Sequence, residues 1–247
     1  MTATEYSEAF FDHLEFGSAR SAKLVVPIMF SALHPRSVLD VGCGRGTWLR
    51  EWKKAGAIEV HGIDGKYLHL HNLAIREHEF TSVDVSRPVS LNRKFDLVTS
   101  LEVAEHLPNK SSDVFVQNLV NHGSKIMFSA ASVGQGGTNH TNERPLEFWR
   151  AEFLKHDFAV FDFLRPRICR DTRIEPWYRY NTLLYVHESV IDDLPEPVKA
   201  AHLPASTAVA NLEPLMWRVR KMLLRPLPVS LVTRLARFKA RTITKAG

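Results

Sequence analysis

The chain has only two cysteines, Cys43 and Cys169, among its 247 residues. Two thiols cannot build a disulfide framework, and one of them lies inside a glycine-rich turn, so a reducing, cytoplasmic compartment is the natural setting. Long apolar runs are also missing. The longest, around Leu24 to Leu33, is interrupted by Pro27 and is too short to span a bilayer. The stretch from Met1 to Phe16 carries Glu5, Glu8, Asp12 and Glu15, the wrong charge for a secretion signal. Acidic residues are absent from Pro214 to Gly247, where nine of the 32 Lys and Arg residues fall; the rest of the chain holds 23 basic against 27 acidic side chains. A mildly acidic body with a basic tail is not the footprint of a nucleic-acid-binding protein as a whole. The tail also lacks the interleaved aromatics of a base-stacking surface, so no nucleic acid is expected as a partner. There are no internal repeats, and no His, Cys or carboxylate cluster has a metal-ligand spacing, so no metal is expected.

What the chain does have is glycine at alternate positions in one place. Ser37 to Val41 is a short apolar run that reads as a buried strand, Gly42, Gly44 and Gly46 follow, and Thr47 to Ala55 has helical spacing. Strand, glycine turn and helix open an α/β nucleotide-binding unit, in which bare backbone lies against a ligand at a helix N-terminus. The pattern is G-x-G-x-G, with Thr47 where the third glycine of a dinucleotide fingerprint would stand. Asp64 ends a second strand, Ile58 to Asp64, 24 residues after Asp40. A carboxylate at that place accepts hydrogen bonds from ribose hydroxyls. Further strands are expected at Phe80 to Val83, Phe95 to Ser100, Ser124 to Ser129, Phe158 to Phe163 and Asn181 to His187. Helices are expected at Ser112 to Val120 and after Pro145, and two more, Glu5 to Phe16 and Ala22 to Leu33, before the first strand. The alternation predicts a Rossmann-like α/β fold: a seven-stranded, mostly parallel sheet with helices on both faces, followed by a helical, basic C-terminal appendage.

The glycine loop with Asp40 two positions ahead of it resembles the first motif of class I S-adenosylmethionine-dependent methyltransferases. Leu101-Glu102-Val103-Ala104-Glu105-His106-Leu107 resembles the fourth motif of their small-molecule branch. The Asn/Asp-Pro-Pro-aromatic tetrapeptide of amino-methylating nucleic-acid enzymes is absent. The resemblance implies S-adenosylmethionine as cofactor, with contacts from Asp40, Gly42, Cys43, Gly44, Gly46, Asp64, Asp84, Val85, Ser100 and Leu101. Asp40 would help hold the amino group, Asp64 the ribose and Asp84 the adenine amino group; Asp84 also reads as a turn aspartate before Pro88. A hydroxyl acceptor is a poor nucleophile until it loses its proton, so a histidine beside the methyl group is expected. His140 lies in the polar loop Ala130 to Asn142 with Glu143 three residues on, and ranks ahead of His106 as the base.

Similarity to one branch of these enzymes extends from Tyr6 to about Val186. It includes Ser18-Ala19-Arg20-Ser21-Ala22, Gly134-Gln135-Gly136-Gly137-Thr138, Arg165-Pro166-Arg167 and Glu175-Pro176-Trp177-Tyr178. Such proteins accompany glycosyltransferases in bacterial surface-polysaccharide pathways, which implies O-methylation of a sugar or glycan hydroxyl. Arg20, Glu105, Trp149, Trp177 and Tyr178 are the expected acceptor contacts. The aromatic residues leave a small aromatic or lipid-like acceptor as the alternative, and a non-catalytic, membrane-docked cofactor binder is a third reading. The expected domains are N-terminal helices over the site (1–36), a methyltransferase core (37–188) and a linker with a basic amphipathic tail (189–247). Val229 to Ile243 places apolar residues at helical spacing among arginines and lysines. That suits either a packed terminal helix or a peripheral contact with anionic lipid at the inner face of the membrane.

Overall fold

The computed structural model describes residues 8–68 and 72–244, with side chains within 16–68 and 72–236. Strands β1 (Ser37–Val41), β2 (Glu59–Asp64), β3 (Phe80–Ser82), β4 (Leu97–Leu101) and β5 (Lys125–Ser129) are joined by β6 (Phe158–Phe161), β7 (Leu183–His187) and β8 (His202–Leu203). They form one eight-stranded sheet in the order β3-β2-β1-β4-β5-β7-β6-β8. The first five are parallel; β7 runs antiparallel to β5 and β6, and β8 antiparallel to β6. The chain moves outward from β1 in one direction and returns to its other side as β4. A crevice therefore opens at the strand ends between β1 and β4, where ligands bind in open α/β sheets.

The central strands are apolar on both faces because both are covered. On one face lie α1 (Glu8–Leu33) and α2 (Thr47–Ala55), which bury Val25, Met29, Leu49 and Trp52. On the other lie α3 (Ser112–Val120) and α4 (Leu146–Leu154), which bury Phe115, Leu119, Trp149 and Phe153. Short helices α5 (Arg165–Ile168) and α6 (Pro176–Asn181) fill the segment before β7, and α7 (Glu196–Lys199) precedes β8.

Several expectations need correction. The two N-terminal helices are one continuous helix. The Ser21 hydroxyl donates back to the Gly17 carbonyl one turn earlier at 2.8 Å, which accommodates the serines within the helix, and Pro27 sits on its exposed side. The apolar positions Phe10, Phe11 and Leu14, and Phe238 and Thr242 near the other end, lie outside the described side chains. The sheet has an eighth strand, and the boundary at residue 188 is not a boundary. Leu194 and Val198 are buried in the core, and β8 extends the sheet edge. Two buried arginines fix this return. Arg150 donates to the carbonyls of Thr207 at 2.6 Å and Leu203 at 2.9 Å. Arg165 holds Asp162 through two hydrogen bonds and reaches the Ala210 carbonyl at 3.1 Å. Beyond it, α8 (Leu215–Leu224) and α9 (Val229–Thr244) cross over the loop that follows β5. Among the described residues, no helix is long and apolar enough to cross a membrane.

Candidate active site

Two groups of residues converge at the strand ends. The first is built on the glycine loop. Gly42, Gly44 and Gly46 all have positive φ, and a Cβ on Gly42 would overlap Val103. A Cβ on Gly44 would meet nothing within 4 Å, so this stretch of backbone faces open space. Asp64 closes the loop from β2. Its Oδ2 accepts from the Gly44 N–H at 2.7 Å, and its Oδ1 from the Gly65 N–H at 2.6 Å and from the Tyr67 hydroxyl. A carboxylate has about four acceptor positions. Three are used, and the fourth together with the Tyr67 position suits two vicinal hydroxyls. Asp40 is buried beneath the loop and accepts from the Thr99 hydroxyl at 2.7 Å. Burial pushes its carboxyl up to about 7 against the pull of Thr99, and the charge of Asp64 adds to the rise. The Cys43 thiol is held well above its ordinary value by burial and by both aspartates, so it is not an activated nucleophile. Ser100 donates to the Val41 carbonyl at 2.8 Å and ties β4 to β1, and Leu101 ends β4 beside it. The residues present thus fit a cofactor with a polar sugar and a cationic amino acid part.

Asp84 does not reach this group in the way Asp64 does. It is exposed, and its Oδ1 accepts from the backbone and hydroxyl of Ser86 at 3.0 and 2.6 Å, the turn role. Val85 beside it is buried in the core.

The second group lies between the loops after β4 and β5. The Asn142 side chain donates to the Ala104 carbonyl at 3.2 Å and to Ser112 at 3.0 Å, and the backbone N–H groups of Thr141 and Asn142 donate to the Glu105 carbonyl. This clamp brings His140 against His106, with ring centroids 4.9 Å apart and nearly perpendicular. His140 Nδ1 lies 2.9 Å from Glu143 Oε1. Glu143 also accepts from the N–H groups of Gly134 and Gly136 at 2.8 and 2.7 Å. Burial works to raise the Glu143 carboxyl, but the His140 hydrogen bond and the two backbone donors outweigh it and hold it low. An ionised Glu143 fixes the proton of His140 on Nδ1 and leaves Nε2 as an acceptor. His106 is pushed down to about 3 by burial and by His140, so it stays neutral and is a weak base.

Glu105 is fully buried beside them, where burial and the neighbouring Glu102 push its carboxyl well up, and neither its oxygens nor His106 Nδ1 makes a well-formed hydrogen bond. Glu105, His106 and His140 each offer one ligand atom, all within 4.8 Å of one another. Linear spacing does not show this grouping, because its third member arrives from a different loop. Buried donors of this kind suit a divalent cation. Glu102, Gln135 and Asn181 form a further polar group that sequence reasoning missed. Gln135 donates to Glu102 at 2.7 Å and Asn181 to Gln135 at 2.8 Å, and Glu102 has a left-handed backbone at φ 58°. That strained backbone at a strand end has no signal in the residue type.

The expected acceptor contacts divide. Trp149 has no exposed surface and packs in the core against Phe128, with centroids 5.1 Å apart, so it is not an acceptor contact. Arg20 pairs with Glu175 at 2.7 Å and ties α1 to α6. Tyr178 is buried against Trp48 at 5.0 Å, with Trp177 half-buried beside it.

A cavity of about 120 Å³ opens beside His140 and Glu143. Its other walls include Val133 and, from the C-terminal helices and the turn between them, Leu224, Arg225, Leu227, Val229 and Val232. Gly137 leaves room for the imidazole: a Cβ there would overlap His140 Nε2. Gly137→Ala is therefore expected to displace the ring and lower turnover by about 100-fold, with cofactor affinity unchanged. Steady-state kinetics beside calorimetry checks it, and wild-type turnover in the variant would show that Nε2 does not act from this position.

Residues 13–167 match the family model described as a methyltransferase domain. Ubiquinone biosynthesis O-methyltransferase of Azoarcus sp. (strain BH72) is 30% identical over 57% of this chain and 64% of the relative. The enzyme of the same name from Nitrosococcus oceani is 36% identical over 40% of this chain and 45% of the relative. The matches thus span less than two thirds of these relatives. Among solved structures, magnesium protoporphyrin IX methyltransferase from Synechocystis PCC 6803, with S-adenosylmethionine bound, superposes with a TM-score of 0.52. It is 17% identical over 74% of this chain and 85% of that one. The methyltransferase domain of bacterial CtHen1-C gives 0.50, at 17% identity over 68% of this chain and 97% of that one.

Proposed function

The chain belongs to this methyltransferase domain family, and we propose that it methylates a hydroxyl of a small, largely apolar acceptor seated beside His140, with S-adenosylmethionine as cofactor. The observation that carries the reading is the Glu143–His140 pair at one wall of a cavity whose other side chains are Val133, Leu224, Leu227, Val229 and Val232, with Arg225 as the one further charged group. S-adenosylmethionine, when bound, supplies a methyl group on a sulfonium that is already a good leaving centre. The chain must hold the acceptor in line and remove its proton. Glu143 positions the imidazole, and His140 Nε2 takes the hydroxyl proton.

The buried oxygens of Glu105 and His106 Nδ1, none with a well-formed hydrogen bond, favour a second reading of that step. Glu105, His106 and His140 together would hold a divalent cation that acidifies the acceptor hydroxyl. Unbridged Cys43 and Cys169 suit a cytoplasmic setting for either. A saccharide hydroxyl, the acceptor implied by the polysaccharide-branch resemblance, is supported only by the Glu102–Gln135–Asn181 group, which suits polyol hydroxyls.

A turnover screen with methyl-labelled cofactor tests the acceptor. Label is expected in alkyl-substituted phenols and not in nucleotide sugars or lipid-linked glycans; the reverse pattern would overturn the apolar reading. Repeating the productive assay after dialysis against a chelator tests the cation. Unchanged turnover supports His140 as an unaided base, and loss restored by Mg²⁺ or Mn²⁺ supports the three-residue cation set.

A further inference from the structure

Helix α8 leaves its larger apolar face outward. An amphipathic helix on a globular domain turns its apolar stripe to the core. In α8 the side facing the domain carries Arg220 and Lys221 beside Trp217, whose ring lies 6.2 Å from Tyr180, and Leu224. Arg220 donates to the Gln135 carbonyl at 2.7 Å, and Lys221 reaches the Ser132 hydroxyl at 2.8 Å and Glu213 at 2.6 Å. The outward side carries Leu215, Met216, Val219, Met222 and Leu223, with Met216 85% and Leu215 71% exposed. At about 100° per residue these five fall within about 120° of arc, so they make one continuous apolar face. Two charged side chains, with Trp217 and Leu224, fix the helix to the domain, and these five apolar side chains stay in water.

We propose that this face is a docking surface for an anionic lipid bilayer. Charge decides among the possible occupants. Arg218, Arg225 and Arg234 are exposed on the same helical pair, and no acidic residue follows Glu213 in the sequence. Glu213 itself is engaged by Lys221. A second copy seated on this face would bring the arginines together without counter-charge, whereas an anionic surface neutralises them while it buries the apolar side chains. The geometry gives the docking a consequence. Leu224 and Arg225, at the end of α8, also line the cavity beside His140, and Gly134 packs directly beneath the Lys221 backbone. Docking through α8 would therefore bring a wall of the cavity, the inner side of that helix, close to the bilayer. The docking itself stands on α8 and does not depend on the acceptor proposed above.

The test uses the full chain and extruded vesicles, either pure phosphatidylcholine or phosphatidylcholine with phosphatidylglycerol at about 3:1, in a sedimentation assay. Wild type is expected to partition at least about tenfold more strongly to the anionic vesicles, with binding that weakens as salt rises. The double variant Met216→Asp/Met222→Asp is expected to lose at least about tenfold of that partitioning. Cofactor affinity, read by calorimetry on the same preparation, should stay at the wild-type value and shows that the domain is folded. Wild type that ignores anionic vesicles, or a folded double variant that binds them equally well, overturns the proposal. Light scattering that shows a wild-type dimer and a monomeric double variant also overturns it, by assigning the face to a second copy.

Discussion

Asp64→Ala is expected to weaken S-adenosylmethionine binding at least about 100-fold. A hydrogen bond to a charged acceptor contributes about 1.5–3 kcal/mol, and two ribose hydroxyls on one carboxylate make two of them. The same carboxylate also accepts from Gly44 and Gly65, so its removal frees the turn that shapes the rest of the cofactor site. Tyr67→Phe is the control. It removes one donor from Asp64 Oδ1 and leaves the carboxylate, so affinity should hold or rise. Calorimetry on both variants separates the two contributions. Wild-type affinity in Asp64→Ala would remove the ribose assignment. The buried neighbour Asp40 adds a pH signature. Its carboxyl is pushed up to about 7, chiefly by burial. If it pairs with the cofactor's ammonium, it must first lose its proton below that value. Affinity then falls as pH drops through about 7, by at most about tenfold per unit, and is flat above it. A profile flat on both sides would detach Asp40 from the ammonium.

The glycine loop and Asp64 are legible in the sequence because their information is local, whereas the turn role of Asp84 is settled only by its contacts with Ser86. β1, the glycine turn and Asp64 lie within about one βαβ unit, and glycine at a positive φ is a residue-level signal. The acceptor half is not legible in this way. Trp149 reads as an acceptor contact by its place after a glycine-rich loop, yet α4 turns it into the core against Phe128 and Phe153. Only the packing of the sheet face decides that. The sequence marks both His106 and His140, but their ring contact depends on Asn142 clamping one loop onto the other. β8 escaped notice because it is two residues long, below what a period-2 pattern can reveal, and Arg150 stabilises its neighbourhood through carbonyls that no motif marks. The exposed face of α8 was missed for a related reason. Its composition resembles any amphipathic helix, and only the contacts of Arg220 and Lys221 show which side faces out.

His140→Ala is expected to lower kcat by about 10²–10⁴ while cofactor affinity stays at the wild-type value. The size follows from the role: a positioned general base contributes that much, and His140 makes no contact with Asp64 or the glycine loop that would disturb cofactor binding. Glu143→Gln tests the positioning. It keeps the shape but replaces an acceptor-only carboxylate with an amide that can turn a donor toward Nδ1, so the imidazole loses its fixed tautomer and kcat falls with little change in KM. The comparison that decides the mechanism is with His106→Ala and Glu105→Gln. Low basicity and lack of contact with Glu143 make His106 a poor substitute base. If His140 works alone, removing His106 or Glu105 costs far less than removing His140. If Glu105, His106 and His140 act as one ligand set, all three variants lose activity to a similar degree, and each shows weaker Mn²⁺ affinity by titration. A His140→Ala variant with wild-type kcat would sink both, since His140 is the one side chain the two mechanisms share.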